Sequence, residues 1–245
     1  MKRKVLKQVF SALLALVMII GLVPMNTLDV FAAGTSTCDT FAKFKTAMED
    51  PNVDTVKLTS FIEDVSPSGE SAITVKTNSG TKKLVLEGSA NIWATSKNKG
   101  SRYLISVGTG VQLVVSGSGS LATSLTYSDG NNAMFRLNGG EMRFAKDFTG
   151  FVTVESKIAG TCGSVVHMTS GNLVSENGDF YNYAECSEDS CSKEHGVIYT
   201  DVTNQDDAYI ALLGGYYQAP TSKKETAVVA GNAQNVFLTI KKATS

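Results

Sequence analysis

Leu137-Asn138-Gly139-Gly140-Glu141-Met142 sets an apolar residue, a glycine turn and another apolar residue in succession, and the arrangement returns along the chain. Val115 to Leu121 (VSGSGSL), Met168 to Leu173 (MTSGNL), Leu212 to Tyr217 (LLGGYY) and, more loosely, Leu86 to Ile92 (LEGSANI) are its counterparts. Each follows an apolar or β-branched run such as Val111-Gln112-Leu113-Val114-Val115 or Val165-Val166-His167-Met168, so it reads as strand, tight corner, next strand. Glycine suits such a corner because it alone accepts a positive φ without steric penalty. The corners recur at intervals of about 20 to 45 residues, the range that marks a solenoid. An antiparallel β-sandwich with glycine in its turns is the competing reading.

The 245 residues, 42% of them apolar, suffice for one large domain with a core of its own. Residues 1–32 have the plan of a secretory signal. Lys2, Arg3, Lys4 and Lys7 form its positive start, Val9 to Val23 its apolar middle, and Val30-Phe31-Ala32 its small-residue cleavage site. The apolar run is shorter than the ~20 residues a membrane-spanning helix needs, which favours a leader over an anchor. Cleavage leaves 18 basic and 22 acidic residues, a net charge near −4. That balance argues against nucleic acid or an anionic membrane as partner. There is no second apolar span and no LPxTG signal in the sequence. The expected location is therefore secreted or at the cell surface.

Asp39 or Thr40 can cap a short helix in which Phe41, Phe44 and Met48 share a face, with Pro51 just past its end. From Val53 onward the chain is a series of short β-rich segments, many continuously apolar, separated by Gly, Ser, Asn and Asp. No amphipathic helix lies between them, which excludes a doubly wound α/β fold. Parallel strands without intervening helices are accommodated by a β-helix, whose coils stack and hydrogen-bond to one another. The expected organisation is all-β: a single β-helix domain over residues 33–245, with a capping helix at 39–50 and coils from 53. The helix would cover the apolar end and unpaired edge of the first coil. An end left uncovered predicts edge-to-edge self-association, unless Lys241 and Lys242 oppose it by charge.

Thr40-Phe41-Ala42 through Asp50-Pro51-Asn52-Val53-Asp54-Thr55-Val56-Lys57-Leu58-Thr59 resembles the opening of the pectate-lyase-like adhesive domains of Gram-positive surface proteins. In that family a cap helix leads through a "DPNV-T-I-x-L-T" stretch into the first coil. The leader, ending in Val-Phe-Ala-Ala, is similar to those of secreted proteins from the same bacteria. About twenty residues carry the motif, and the remaining likeness is architectural. The resemblance implies a right-handed parallel β-helix used in attachment. The family's usual "DGNGHTI"-like turn is missing, and Leu86-Glu87-Gly88-Ser89 is its nearest counterpart.

β-Helices also host polysaccharide lyases and glycosidases, so an enzyme acting on uronide-rich glycans is the alternative function. A pectate-type lyase needs calcium on clustered carboxylates and a basic arginine beside the sugar. The mature chain has only Arg102, Arg136 and Arg143, none beside an acidic cluster in sequence. Asp206-Asp207 resembles the paired aspartates of polygalacturonases, as two carboxylates flanking a glycosidic bond would require. That family's other motifs are absent, and Glu194-His195-Gly196 is a poor substitute for its Gly-His-Gly. No catalytic residue or cofactor is assigned. Cys162, His167, Cys186, Cys191 and His195 could be assembled into a zinc site, but the spacing is loose and exported cysteines tend to oxidise. His167, between Val166 and Met168, is expected to point out of the coil.

Gly140 and Gly171 are 31 residues apart, whereas Gly171 and Gly215 are 44 apart. The excess is assigned to residues 177–195, whose Glu185, Glu188, Asp189 and Glu194 belong on a loop outside the solenoid. Cys186 and Cys191 are close enough for a small disulfide loop, with Cys162 an alternative partner for either. Phe180, Tyr181 and Tyr183 at the base of this loop, with Tyr216 and Tyr217 after a glycine corner, are the candidates for stacking on sugar rings. Aromatic ladders within the coils are the competing reading of the same residues. The expected function is an exported, non-catalytic binding or adhesion module for a glycan or for a surface protein of a host or neighbouring cell. A purely structural spacer is the third class.

Overall fold

Successive coils approach so closely at their corners that a side chain would collide with the backbone below. A Cβ on Gly171, whose φ is +101°, would lie 2.1 Å from the carbonyl oxygen of Gly140. One on Gly140 would lie 2.4 Å from that of Gly108. This stacking is the signature of a parallel β-solenoid, the architecture of the chain. The computed structural model describes residues 34–63, 71–88, 90–95, 103–125, 132–156, 163–183, 196–200, 208–218, 228–230 and 238–240.

In chain order the elements begin with β1 (Gly34–Cys38), α1 (Phe41–Glu49), β2 (Val53–Leu58), β3 (Phe61–Glu63), β4 (Ser71–Thr74) and β5 (Thr81–Leu86). Next come β6 (Asn91–Thr95), β7 (Tyr103–Gly108), β8 (Gln112–Gly117), β9 (Ser120–Leu125), β10 (Asn132–Phe148) and β11 (Phe151–Ser156). The series ends with β12 (Gly163–Ser175), β13 (Asp179–Tyr183), β14 (Ile198–Thr200), β15 (Ala208–Leu212), β16 (Tyr216–Gln218), β17 (Val228–Ala230) and β18 (Leu238–Ile240). All pairings among the described strands are parallel, which excludes the antiparallel sandwich.

Each coil has three faces. The first is traced by the rungs Ile73, Ile105, Phe135, Val166, Ile198 and Val228. The second runs through Val56, Leu84, Val115, Phe144, Ser175, Leu212 and Ile240. The third, a separate six-stranded sheet, runs through Ile62, Ile92, Leu121, Val152, Phe180 and Tyr217. β10 and β12 turn the corner between the first two faces without a break, with a register shift around Asn138. The interior is apolar: Val56, Leu84, Leu121, Phe135, Val152 and their neighbours are fully buried. Each such side chain contributes about 1.5–3 kcal/mol.

The glycine corners belong to two different columns. Gly140 and Gly171 stack between the first and second faces. Gly119, Gly150, Gly178 and Gly215 lie between the second and third, where Gly150 would meet Gly119 and Gly215 would meet Gly178. Gly215 is therefore not the counterpart of Gly171, and the 44-residue gap compares unlike corners. The expected loop over residues 177–195 is corrected accordingly. Its opening residues form β13, paired with β11 and β16, because Phe180 and Asn182 continue the interior of the third face. The extra length is divided: Phe180 and Ile198 are 18 residues apart where Val152 and Val166 are 14 apart, and Thr200 and Ile210 are 10 apart where Met168 and Leu173 are five. Both longer stretches pass outside the described residues, and with them Glu185, Glu188, Asp189 and Glu194.

The short helix is present, and its face is the one the spacing indicates. Thr40 Oγ1 caps it by accepting from the Lys43 amide, and Phe44, Ala47 and Met48 are buried with Phe41 packed alongside. α1 follows a strand absent from the sequence reading, β1, which pairs with β2 and so stands at the edge of the second face. Against β4, the edge of the first face, the helix supplies polar partners to the backbone. Glu49 accepts from the Thr74 amide at 3.1 Å, Lys45 donates to the Ala72 carbonyl, and the Met48 carbonyl accepts from the Lys76 amide at 3.1 Å. Lys82, on the inward side of β5, is fully buried beneath the helix end. Its ammonium donates to the carbonyls of Ala47 (3.0 Å), Asp50 (2.7 Å) and Val53.

Candidate functional site: an aromatic face on the third sheet

Alternation along the strands of the third sheet divides its aromatic residues between two environments. In β13, Phe180 points inward while Asp179, Tyr181 and Tyr183 point outward; in β11, Val152 and Val154 point inward while Phe151, Thr153 and Glu155 point outward. Two of the five residues expected to stack on sugars are thereby reassigned. Phe180 is 2% exposed, with its ring 4.6 Å from Phe144 and stacked on Tyr217 at 4.9 Å. Tyr217 packs against the same core, its hydroxyl donates to the Gly214 carbonyl at 2.9 Å, and burial pushes its pKa up to about 12. Both form the ladder inside the coils that was the competing reading.

The other three stand together outside. Tyr181 is the hub: its ring centre is 5.8 Å from Tyr183, 5.7 Å from Tyr216 and 6.4 Å from Phe151. Phe151, Tyr183 and Tyr216 are 44%, 47% and 52% exposed, so the patch is open to solvent over three successive strands. Strands lie about 4.8 Å apart, which sets Phe151 and Tyr216 two rungs from each other across Asp179. Hydrogen-bond acceptors lie among the rings. The Asp179 carboxylate accepts from the Tyr181 hydroxyl at 3.5 Å, and the Gln218 amide oxygen from the Tyr216 hydroxyl at 3.5 Å. Burial raises the pKa of Tyr181, reinforced by Asp179 and the neighbouring tyrosines. Sequence reasoning missed Phe151 and Asp179, although the alternation in FVTVES and DFYNY sorts inward from outward positions.

The remaining candidates lie elsewhere. His167 leaves the coil interior as expected, yet it is buried, because the rings of Tyr103 and Tyr199 stand 5.7 and 5.3 Å from its own. Its Nδ1 is 2.8 Å from the Tyr103 hydroxyl. Arg136 lies over the Tyr103 ring at 5.2 Å, and Arg143 is bonded to Glu176 through Nε (3.0 Å) and Nη2 (2.8 Å) on the second face. Neither arginine adjoins the aromatic patch. Cys38 ends β1 as a buried free thiol, its pKa raised by burial. Cys162, Cys186, Cys191, Glu194, His195, Asp206, Asp207 and Arg102 lie outside the described residues, and the disulfide and the paired aspartates with them. Among the described residues no group of three or more His, Cys, Asp or Glu could hold a metal ion. No family model, curated protein or solved structure matches this chain.

Proposed function

We propose that the mature chain is an exported, non-catalytic binding module that holds a glycan or a surface protein against the aromatic face of its third sheet. The observation that carries this reading is the contiguous set of exposed Phe151, Tyr183 and Tyr216 around the half-buried Tyr181, on a sheet whose interior side is packed. Exposed aromatic patches mark interaction sites, since ring faces offer apolar area and the tyrosine hydroxyls polar contacts. A solenoid suits the role because it repeats a flat, rigid outer face. The leader over residues 1–32 supports export. The resemblance of the segment from Thr40 to Thr59 to adhesive domains of Gram-positive surface proteins supports attachment as the use. The test is to purify the exported protein, sequence its N-terminus and screen it on immobilised glycans and surface proteins while assaying for bond cleavage. Retention that Tyr181→Ala and Tyr216→Ala each weaken, without cleavage, is expected. Turnover of any glycan, or retention indifferent to both substitutions, would overturn the reading.

A further inference from the structure

We infer that the ligand of the aromatic face is a neutral polysaccharide, lying across β11, β13 and β16, and not a uronide; this rests on the binding role proposed above. The chemistry of the outward positions makes the selection. On β11, β13 and β16 they are occupied by Phe151, Thr153 and Glu155, by Asp179, Tyr181 and Tyr183, and by Tyr216 and Gln218. Among the described residues this set contains no lysine or arginine, and Asp179 sets its charge between the rings. A uronide would bring one negative charge per sugar towards Asp179 and find no cation among the described outward positions of these three strands to pair with, and like charges at short range are costly.

A neutral sugar meets none of that repulsion. Its C–H faces cover the rings, and its hydroxyls are the donors that the Asp179 carboxylate and the Gln218 amide oxygen accept. Asp179 is placed for this: it occupies the rung between Phe151 and Tyr216, so a sugar bridging those rings passes over the carboxylate. The rungs are about 4.8 Å apart, close to the length of one pyranose unit, which lets consecutive sugars of an extended chain address consecutive strands.

Affinity electrophoresis of the exported protein through gels containing hydroxyethylcellulose, glucomannan, laminarin or polygalacturonate, at low and high salt, tests the inference. Retardation by at least one neutral polymer, unchanged by salt, is expected, with none by polygalacturonate. Tyr181→Ala and Tyr216→Ala should each weaken that binding about tenfold, equivalent to about 1.4 kcal/mol. Asp179→Asn should weaken it less while removing part of the barrier to polygalacturonate. Circular dichroism and melting temperatures of these surface variants establish that they fold. Retardation by polygalacturonate that depends on Tyr181 and falls with salt would overturn the neutral ligand and leave the binding role intact. No retardation by any neutral polymer would also overturn it. A dimer in solution that Tyr181→Ala converts to monomer would overturn both, the face being then an interface between two copies.

Discussion

Replacing Lys82 by methionine tests how the helix is fastened to the solenoid. The side chain keeps a similar length and apolar stem, but the ammonium that three backbone carbonyls share is gone. A hydrogen bond to a charged group contributes about 1.5–3 kcal/mol, and a buried carbonyl left without a donor costs about 1–3 kcal/mol. The Ala47 bond is fully buried, whereas those to Asp50 and Val53 are partly open, so water can replace the latter two in part. Opposing this, methionine removes the several kcal/mol that burial of a cation costs. The net expectation for Lys82→Met is a loss of about 2–4 kcal/mol in urea unfolding, short of what removing one partner of a buried ion pair would cost.

The loss should be local. Hydrogen exchange is expected to accelerate at the amides of α1 and at Thr74, Lys76 and Asn78, which bond to Glu49, Met48 and Pro51. A pH signature accompanies it. Burial holds the Lys82 ammonium below its ordinary range, against the pull of Asp50 and Asp54, so the folded chain releases this proton before the unfolded chain does. The cost of burying the charge is then fully present below the folded pKa and is relieved as pH rises towards the unfolded value of about 10.4. Wild type should therefore gain stability relative to Lys82→Met across that alkaline window. A Lys82→Met protein as stable as wild type at neutral pH, with α1 amides equally protected, would refute the fastening role.

Three further outcomes are expected. Gly171→Ala should cost about 2–5 kcal/mol from left-handed backbone and overlap with the Gly140 carbonyl together, whereas Gly80→Ala, at φ +83° with open space around it, should cost only about 1–2 kcal/mol; equal melting temperatures for the two would remove the stacked-corner argument. Phe180→Ala should destabilise by about 3–5 kcal/mol while Tyr181→Ala stays within about 1 kcal/mol of wild type, as urea titrations can show; the reverse order would place the wrong residue in the core. The bond from Arg143 holds the Glu176 carboxyl below its usual pKa, so its stabilisation is present above about pH 4.3 and lost as pH falls through the lower folded value. Being partly exposed, the pair contributes on the order of 0.5 kcal/mol, and Glu176→Gln should flatten that part of the acid profile; an unchanged profile would contradict it.

Much of this protein is legible in local pattern, because local pattern reflects what each residue can tolerate. A positive φ at a corner demands glycine, a helix start demands a residue such as Thr40, and an apolar run demands burial; the repeated corners, α1 and the solenoid class follow from those demands alone. The third sheet was harder to see. Its strands β9 and β13 admit Thr and Asn on their inner side and follow directly on glycine corners. The division of Phe180 from Tyr181 was available from period-two alternation once that strand was recognised. Other features were not available locally at all. Corners of the two columns share one motif, and only the carbonyl beneath each glycine, about a coil away in sequence, tells them apart. Lys82 looks like any solvated lysine until α1 ends above it, and His167 looks exposed until Tyr103 and Tyr199 close around it. Local pattern requires that the chain coil and marks where it turns. Which residues meet across the coils was decided by tertiary register, because those contacts join positions about thirty residues apart that no local preference relates.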